Sequence, residues 1–206
     1  PDSGPDIHHD VSQPLSEMAP ARPVARGSHA DSPLPTPPAS SVGDPALQTA
    51  PATASAPTTA NNILGVGNGF SGPQGTFTVT GAPPDTTGAV GPNHYVQVVN
   101  SDFAIFNKSG TVVYGPVPTN TLFSGFGGYC QTTNDGDATV KYDVAADRWV
   151  ITQFANTASN TGPYDQCVAV STSGDPTGSY YRYAFQYASF PDYGKMGVWP
   201  DGYYMT

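Results

Sequence analysis

Apolar side chains recur along the second part of the chain with the two-residue period of a β-strand. In the segment YYRYAFQY (180–187), aromatic residues from Tyr181 onward alternate with Arg182, Ala184 and Gln186. Shorter apolar runs, separated by turn sequences such as KSG and SGDPTG, are DFAIFN, TVVYG, WVITQF and QCVAVST. No long stretch with the spacing of an amphipathic helix interrupts these runs. The pattern predicts an all-β fold.

The predicted strands repeat at a regular distance. The order Asn or Asp, one variable residue, an aromatic residue and a β-rich run occurs at residues 93–96, 147–150 and 201–204, so the three copies are evenly spaced. Each copy follows a short strand of small and branched residues, and each of the first two precedes two further strands. Four antiparallel strands in each repeat are typical of a β-propeller blade.

The repeat predicts a partial β-propeller. We expect two complete four-stranded blades at about 86–134 and 135–190 and the first two strands of a third. Because propellers usually close with about 4–8 blades, the chain is expected to be the N-terminal portion of a longer one. A β-sandwich of about ten strands is the alternative all-β architecture, and the regular spacing favours the propeller.

The N-terminal segment 1–60 differs in composition from the rest of the chain. It holds 12 of the 22 prolines, and all 23 aromatic residues lie at Phe70 or later. Such a segment buries too little apolar surface to offset the entropy of ordering it. We therefore predict a disordered Pro/Ala/Ser/Thr-rich linker or pro-segment over 1–60 and a propeller-like domain over 61–206. The adjacent His8 and His9 are interpreted as solvated polar residues.

Charge and hydropathy limit the partners of the globular part. Residues 61–206 carry 5 Lys and Arg against 10 Asp and no Glu, a net charge of −5. This part has no basic stripe of the kind that binds nucleic acid, and no apolar run reaches the length of a membrane span. Few charges among many Gly, Asn, Thr and Tyr indicate a secreted or cell-surface protein. The expected partners are a polysaccharide, a surface protein or the remaining blades of the same chain.

The chain has two cysteines, Cys130 and Cys167. In a secreted protein they are expected to pair. Neither has a Lys or His next to it in sequence that would lower the pKa of its thiol. Two cysteines and His94 are too few ligands for a zinc site. A disulfide is the prediction.

Four segments in fixed order give the chain a resemblance to a known family. They are PDTTGAVGPNHYVQVVN, YDVAADRWVITQF, VAVSTSGDPTGSYYRY and FPDYGKMGVWPDGYYMT, within about residues 84–206. In these segments the chain resembles secreted bacterial β-propeller-type surface proteins, which are often joined to immunoglobulin-like or fibronectin-type modules. The resemblance implies a propeller fold and a surface location, and it carries over no catalytic residue. The chain departs from the family pattern at GDATVKYD and at Gly194, where a proline is usual.

An aspartate precedes each predicted inner strand: Asp85, Asp135 and Asp137, and Asp192. Because the inner strands of a propeller surround one channel, these carboxylates are candidates for a ligand-binding channel face. They would hydrogen-bond sugar hydroxyls, or Asp85, Asp137 and Asp192 would hold Ca²⁺, the one cofactor considered. The alternative is that each aspartate caps a turn by accepting hydrogen bonds from nearby backbone amides.

These features favour an extracellular binding or structural module with a carbohydrate or protein ligand. The alternative is a carbohydrate-active hydrolase or lyase of propeller fold with its site at the central channel. Residues 61–206 contain no Gly-x-Ser-x-Gly motif. They hold only Arg148 and Arg182, where a sialidase-like site uses clustered arginines. A glycosidase needs two paired carboxylates, which the sequence does not fix, so no catalytic residue is assigned.

Overall fold

The computed structural model describes residues 4–22, 61–79, 83–159, 161–192 and 194–206. Their strands are β1 (His8–Val11), β2 (Ser71–Gly72), β3 (Gly75–Thr76), β4 (Thr87–Val90), β5 (His94–Val99), β6 (Asp102–Asn107), β7 (Val112–Pro118), β8 (Thr139–Asp143), β9 (Arg148–Ala155), β10 (Tyr164–Ser171), β11 (Tyr180–Tyr187), β12 (Met196–Trp199) and β13 (Gly202–Met205). The helical elements of this part are α1 (Gly128–Thr132) and 3₁₀ helices at Leu15–Glu17 and Thr119–Phe123.

Most strands belong to two antiparallel sheets that follow one another along the chain. The first sheet has the order β4-β5-β6-β7, and the second has the order β1-β11-β10-β9-β8. Two hairpins, β2–β3 and β12–β13, are separate. The all-β prediction is confirmed, and the two predicted groups of four strands each form one sheet in chain order. Both sheets are open, and the described residues form no closed ring.

Each of the three evenly spaced aromatic residues pairs with a residue of the strand that precedes it in the chain. Tyr95 pairs with Val90 across β4–β5, and Trp149 pairs with Tyr142 across β8–β9. In the hairpin β12–β13, Tyr203 pairs with Val198 in the same way. Each of these residues therefore lies opposite the C-terminal end of the preceding strand, and the repeat stays a prediction.

The turn between β10 and β11 forms as its sequence predicts. The Asp175 carboxylate accepts a hydrogen bond from the Thr177 backbone N–H at 2.9 Å, and the Gly178 N–H donates to the Asp175 carbonyl at 3.3 Å. Asp favours such turns because its short side chain bonds its own backbone two residues on. The turn aligns β11 with β10 along their whole length.

The main core lies between the two sheets. Phe103 and Ile105 of the first sheet and Trp149, Ile151 and Tyr180 of the second are fully buried in one cluster. Burial of this apolar surface is the main force that holds the sheets together. Trp149 also satisfies its ring N–H, which donates to the carbonyl of Gly174 at 3.0 Å.

Residues 4–22 depart from the predicted disorder. Strand β1 pairs with the outer edge of β11, where Asp10 lies opposite Arg182. Leu15 is fully buried in the main core, and Met18 is buried beside it. The composition of the whole N-terminal segment gave no sign of this strand. The residues that pair with it, in β11, lie near the other end of the chain, so no local sequence pattern predicts the contact. The prediction for residues 1–3 and 23–60 falls outside the described residues.

The predicted disulfide is confirmed. Cys130 of α1 and Cys167 of β10 are bonded, with their Cα atoms 5.7 Å apart, and both are buried. The bond closes a loop across 37 sequence positions and ties α1 to the middle of the second sheet. The fold therefore has one covalent link between the chain that follows the first sheet and the second sheet.

Replacing both cysteines by alanine is expected to lower the free energy of unfolding by about 4 kcal/mol, because the loop-closure entropy of the unfolded chain is restored. Chemical denaturation of the oxidised protein and the variant measures the difference. The control is Tyr129→Ala, which changes an exposed side chain of the same helix. Equal midpoints for the double variant and the wild type would contradict this prediction.

Candidate functional site

One face of the second sheet is not covered by the first sheet. Residues directly opposite one another in an antiparallel pair share a face. Val170 of β10 stands between Val150 of β9 and Tyr181 of β11. Val168 stands between Thr152 and Tyr183 in the same way. The side chains of three strands therefore point together to the side opposite the core.

The hairpin β12–β13 forms the second wall of a groove above this face, with a volume of about 520 Å³. We call it the tyrosine groove. Its lining residues are Val150, Thr152, Gln166, Val168, Val170, Tyr181, Tyr183, Phe185, Tyr187, Met196, Tyr203, Tyr204 and Met205. The volume lies within the range of about 300–1,000 Å³ that is usual for ligand sites.

The tyrosine groove is predominantly apolar and open to solvent. Tyr181 is 43% exposed and Tyr204 is 56% exposed. Two polar side chains other than tyrosine line it, and both already have partners. The Gln166 side-chain amide donates to the carbonyl of Gln153 at 3.1 Å, and Thr152 shares a hydrogen bond with Thr139 at 2.9 Å. Recognition in the groove therefore depends on aromatic surface and tyrosine hydroxyls.

A hydrogen bond attaches the hairpin to the second sheet at one end of the groove. The Tyr203 hydroxyl donates to the Asp143 carboxylate at 2.9 Å. Burial, together with this carboxylate, raises the pKa of Tyr203 to about 12. The pKa of Asp143 is lowered, chiefly by the backbone N–H of Ala146 and less by Tyr203. The two groups keep opposite roles as donor and acceptor at neutral pH.

The alternating pattern of β11 correctly predicts a strand, but it does not show which face is buried. The face with Tyr180, Arg182 and Ala184 packs into the protein, and the face with Tyr181 and Tyr183 lines the groove. Sequence reasoning did not identify the groove for this reason. Arg182 lies on the buried face of β11, where its charge needs a carboxylate partner. That partner is Asp10 of β1.

The structure places Asp85 and Asp137 at equivalent positions. Each lies two residues before a strand at the edge of its sheet, β4 or β8, and each has a positive φ, 37° and 45°. Asn100 lies near both loops, since its side-chain amide donates to the carbonyl of Pro83 at 2.6 Å and its own carbonyl accepts the Ala138 N–H at 3.4 Å. Asp and Asn adopt this conformation more readily than most residues, which fits a role in turns.

The other two candidates are Asp135, in the loop before β8, and Asp192, ahead of β12. Asp135 accepts a hydrogen bond from the backbone N–H of Thr157 at 2.8 Å, which joins two loops that lie 22 positions apart in sequence. Asp192 is exposed ahead of β12. Among the described residues, no three His, Cys, Asp or Glu side chains are grouped closely enough to hold a metal ion. The structure thus gives the Ca²⁺ assignment to Asp85, Asp137 and Asp192 no support, and the sugar-binding role remains a prediction.

Two carboxyl groups with little access to water escaped the sequence reasoning. Burial raises the pKa of Asp102 to about 6, although Ser101 donates a hydrogen bond to it. Burial also raises the pKa of Asp165, which is 2% exposed and accepts a hydrogen bond from Gln186 at 3.1 Å. Both aspartates stand next to apolar runs, in SDFAIF and YDQCVAV. An aspartate within a predicted strand was therefore the sequence signal that could have indicated a buried carboxyl group.

Asp165 lines a second, smaller cavity of about 220 Å³. Ile7 and His8 from the N-terminal segment, Phe126 and Cys130 also line it. The His8 ring lies 4.4 Å from the Phe126 ring, centroid to centroid, which is a packing contact. The N-terminal segment therefore completes the wall of a cavity that contains one buried carboxyl group.

Comparisons of the chain with protein-family models, with curated proteins and with solved structures found no match. Across the described part of the chain, no helix has the length and apolar character needed to cross a membrane. The function must therefore be inferred from the residues of the site.

The stability of the protein is expected to fall as the pH rises from about 4 to about 6. Asp102 keeps its proton up to a pKa of about 6 in the folded state, whereas an aspartate in an unfolded chain titrates near 3.9. The folded state then binds more protons than the unfolded state in this interval, so the free energy of unfolding decreases with pH. The titration of Asp102 should lower the free energy of unfolding by an amount on the order of 2 kcal/mol between pH 4 and pH 7, and Asp102→Asn should abolish this decrease.

Urea unfolding at pH 4 and pH 7 measures this effect. Asp192→Asn is the matched control, because it removes an exposed carboxyl group. A variant Asp102→Asn whose stability changes with pH as steeply as that of the wild type would show that this group does not carry the effect.

Proposed function

We propose that this protein is an extracellular binding module whose tyrosine groove receives an extended apolar strand of a protein ligand. One observation carries the proposal: the groove is open and lined mainly by tyrosine, valine and methionine, with Tyr181 43% exposed and Tyr204 56% exposed. A strand that lies in the groove beside β13 could also pair with backbone N–H and C=O groups, as extended ligands do at sheet edges. The exposed groove offers aromatic surface to the side chains of that strand.

The repeated register indicates what such a strand would resemble. Tyr95 of β5 and Trp149 of β9 are equivalent to Tyr203 of β13. Strand β5 lies between β4 and β6, and β9 lies between β8 and β10. By the same order β13, which pairs with β12, would take a further strand on its other edge. Both β6 and β10 are mostly buried. A strand of this type would continue the hairpin as a sheet and cover the groove.

The chemistry of the groove favours a protein ligand over a polysaccharide. Each sugar hydroxyl that leaves water needs a hydrogen-bond partner, and an unpaired one is costly. The side-chain N–H of Gln166 and the hydroxyl of Thr152 are already engaged. Tyrosine and methionine, which line much of the groove, are enriched at the centres of protein interfaces.

We also propose that the two sheets and the hairpin are successive blades of a β-propeller. The support is the chain order of four strands in each sheet, the matched register of the three aromatic residues and the packing of the sheets on one core. The disulfide is compatible with an extracellular protein, because such bonds persist in oxidising surroundings. A groove between neighbouring blades would then be a surface that accepts β-structure.

A peptide with the sequence of residues 164–171, with Cys167→Ser and a short lysine tail for solubility, is expected to bind the protein saturably. The same peptide with proline in place of Ala169 should bind at least tenfold more weakly, because proline removes a ladder donor. Phe185→Ala in the protein should also weaken binding at least tenfold, since Phe185 lines the groove.

Fluorescence anisotropy of the labelled peptide measures these affinities. Tyr129→Ala, an exposed aromatic residue outside the groove lining, is the matched protein control and should leave the affinity unchanged. The proposal fails if neither peptide binds, or if the proline peptide binds as well as the parent. Selective binding on a glycan array that is lost in Phe185→Ala would assign the groove to carbohydrate instead.

A further inference from the structure

Residues 7–12 are held along the edge of β11 as an added strand, and the chain continues past this edge into the 3₁₀ helix at Leu15–Glu17. The backbone N–H of Ile7 donates to the carbonyl of Ala184 at 2.8 Å, and that of Ser12 donates to the carbonyl of Tyr180 at 2.9 Å. Further along, the N–H of Leu15 donates to the carbonyl of Gly178 at 2.9 Å. This is the pattern by which an extended peptide binds a sheet edge.

A buried arginine at the centre of this edge requires a carboxylate. Arg182 is 3% exposed, and its guanidinium donates to both oxygens of the Asp10 carboxylate, at 2.8 and 2.6 Å. Its remaining terminal nitrogen donates to the carbonyls of Leu122 and Ser124, and the group lies over the ring of Phe126. A buried charge without its partner is strongly destabilising, so the edge is built to hold an acidic residue.

Two apolar side chains of the segment fill the base of the core. Leu15 is 0% exposed and Met18 is 4% exposed, and both belong to the cluster that joins the two sheets. The Ser12 hydroxyl accepts a hydrogen bond from the Tyr180 N–H at 2.9 Å. The site thus recognises three features of the segment: a carboxylate in its strand, an apolar residue five positions later in the 3₁₀ helix and another eight positions later.

We propose that the β11 edge is a peptide-binding site that the chain fills with its own residues 7–21, and that it binds this segment without a covalent connection. The described hydrogen bonds that residues 7–21 make outside the segment go to residues 121–184. These bonds are expected to hold the strand in place after the chain is cut between Ser40 and Ser41. A peptide with an aspartate, a leucine and a methionine in the same spacing competes for the site. This inference is independent of the proposed ligand at the tyrosine groove.

The test uses the full chain with a protease recognition sequence inserted between Ser40 and Ser41. After cleavage, the N-terminal fragment is expected to co-elute with the body in size-exclusion chromatography. The cleaved protein is then unfolded with its disulfide intact and refolded with a tenfold excess of fluorescein-labelled peptide of residues 4–22. The label is expected to elute with the body, in place of the original fragment.

Variation of the peptide leaves the body unchanged and so separates binding from folding. In competition during refolding, the peptide with Asp10→Asn should be at least tenfold weaker than the parent. Glu17→Gln is the matched control, because Glu17 is an exposed carboxylate, and it should compete as well as the parent. Release of the fragment on cleavage, a refolded body without label, or equal competition by the Asp10→Asn and Glu17→Gln peptides would overturn the proposal.

Discussion

The face of the second sheet that carries Trp149 and Tyr180 excludes water by packing against the first sheet, and the remaining features depend on this contact. Since side chains alternate along a strand, burial of one row places the neighbouring row on the opposite side. Tyr181 and Tyr183 are consequently left outside the core and become the floor of a groove. The same contact carries Arg182 inward with Tyr180, because both belong to the buried row of β11.

The inward position of Arg182 accounts for the N-terminal strand. A guanidinium removed from water needs charged and polar partners, and the carbonyls of Leu122 and Ser124 supply no counter-charge. Asp10 supplies it through two hydrogen bonds. Once Asp10 is fixed, the chain that follows it is directed over the base of the core, where Leu15 fills apolar space. Electrostatics and hydrophobic packing therefore act together on one short segment.

The outer edges of β11 and β13 differ in whether a strand pairs with them. The edge of β11 is covered by β1, whereas the edge of β13 has no partner strand among the described residues. Natural sheets usually cover or disrupt their edges, because an exposed edge can pair with another chain. The difference connects the two proposals, since β1 occupies the edge of β11, and a further strand is proposed to lie beside β13 in the aromatic groove.

The sequence by itself determined the local structure. Two-residue alternation, turn residues such as Asp175 and the regular spacing of the aromatic anchors predicted the strands, their order and their grouping in fours. The count of two cysteines predicted the disulfide. These features depend on neighbouring residues or on a repeat, and both can be read directly along the chain. The aspartates at positions 85 and 137 lie before strands, as the sequence pattern indicates, whereas their shared role at a channel face stays a prediction.

Only the tertiary structure decided which face of β11 is buried, that β1 joins the second sheet, and that Asp102 and Asp165 are largely withdrawn from water. Both faces of β11 carry large side chains, so the alternation is equally compatible with either orientation until the first sheet packs against it. The pairing of Asp10 with Arg182 joins the two ends of the chain, and no local pattern records a contact of that length. The tyrosine groove exists for the same reason: its walls come from β9–β11 and from the hairpin, and only folding brings them together.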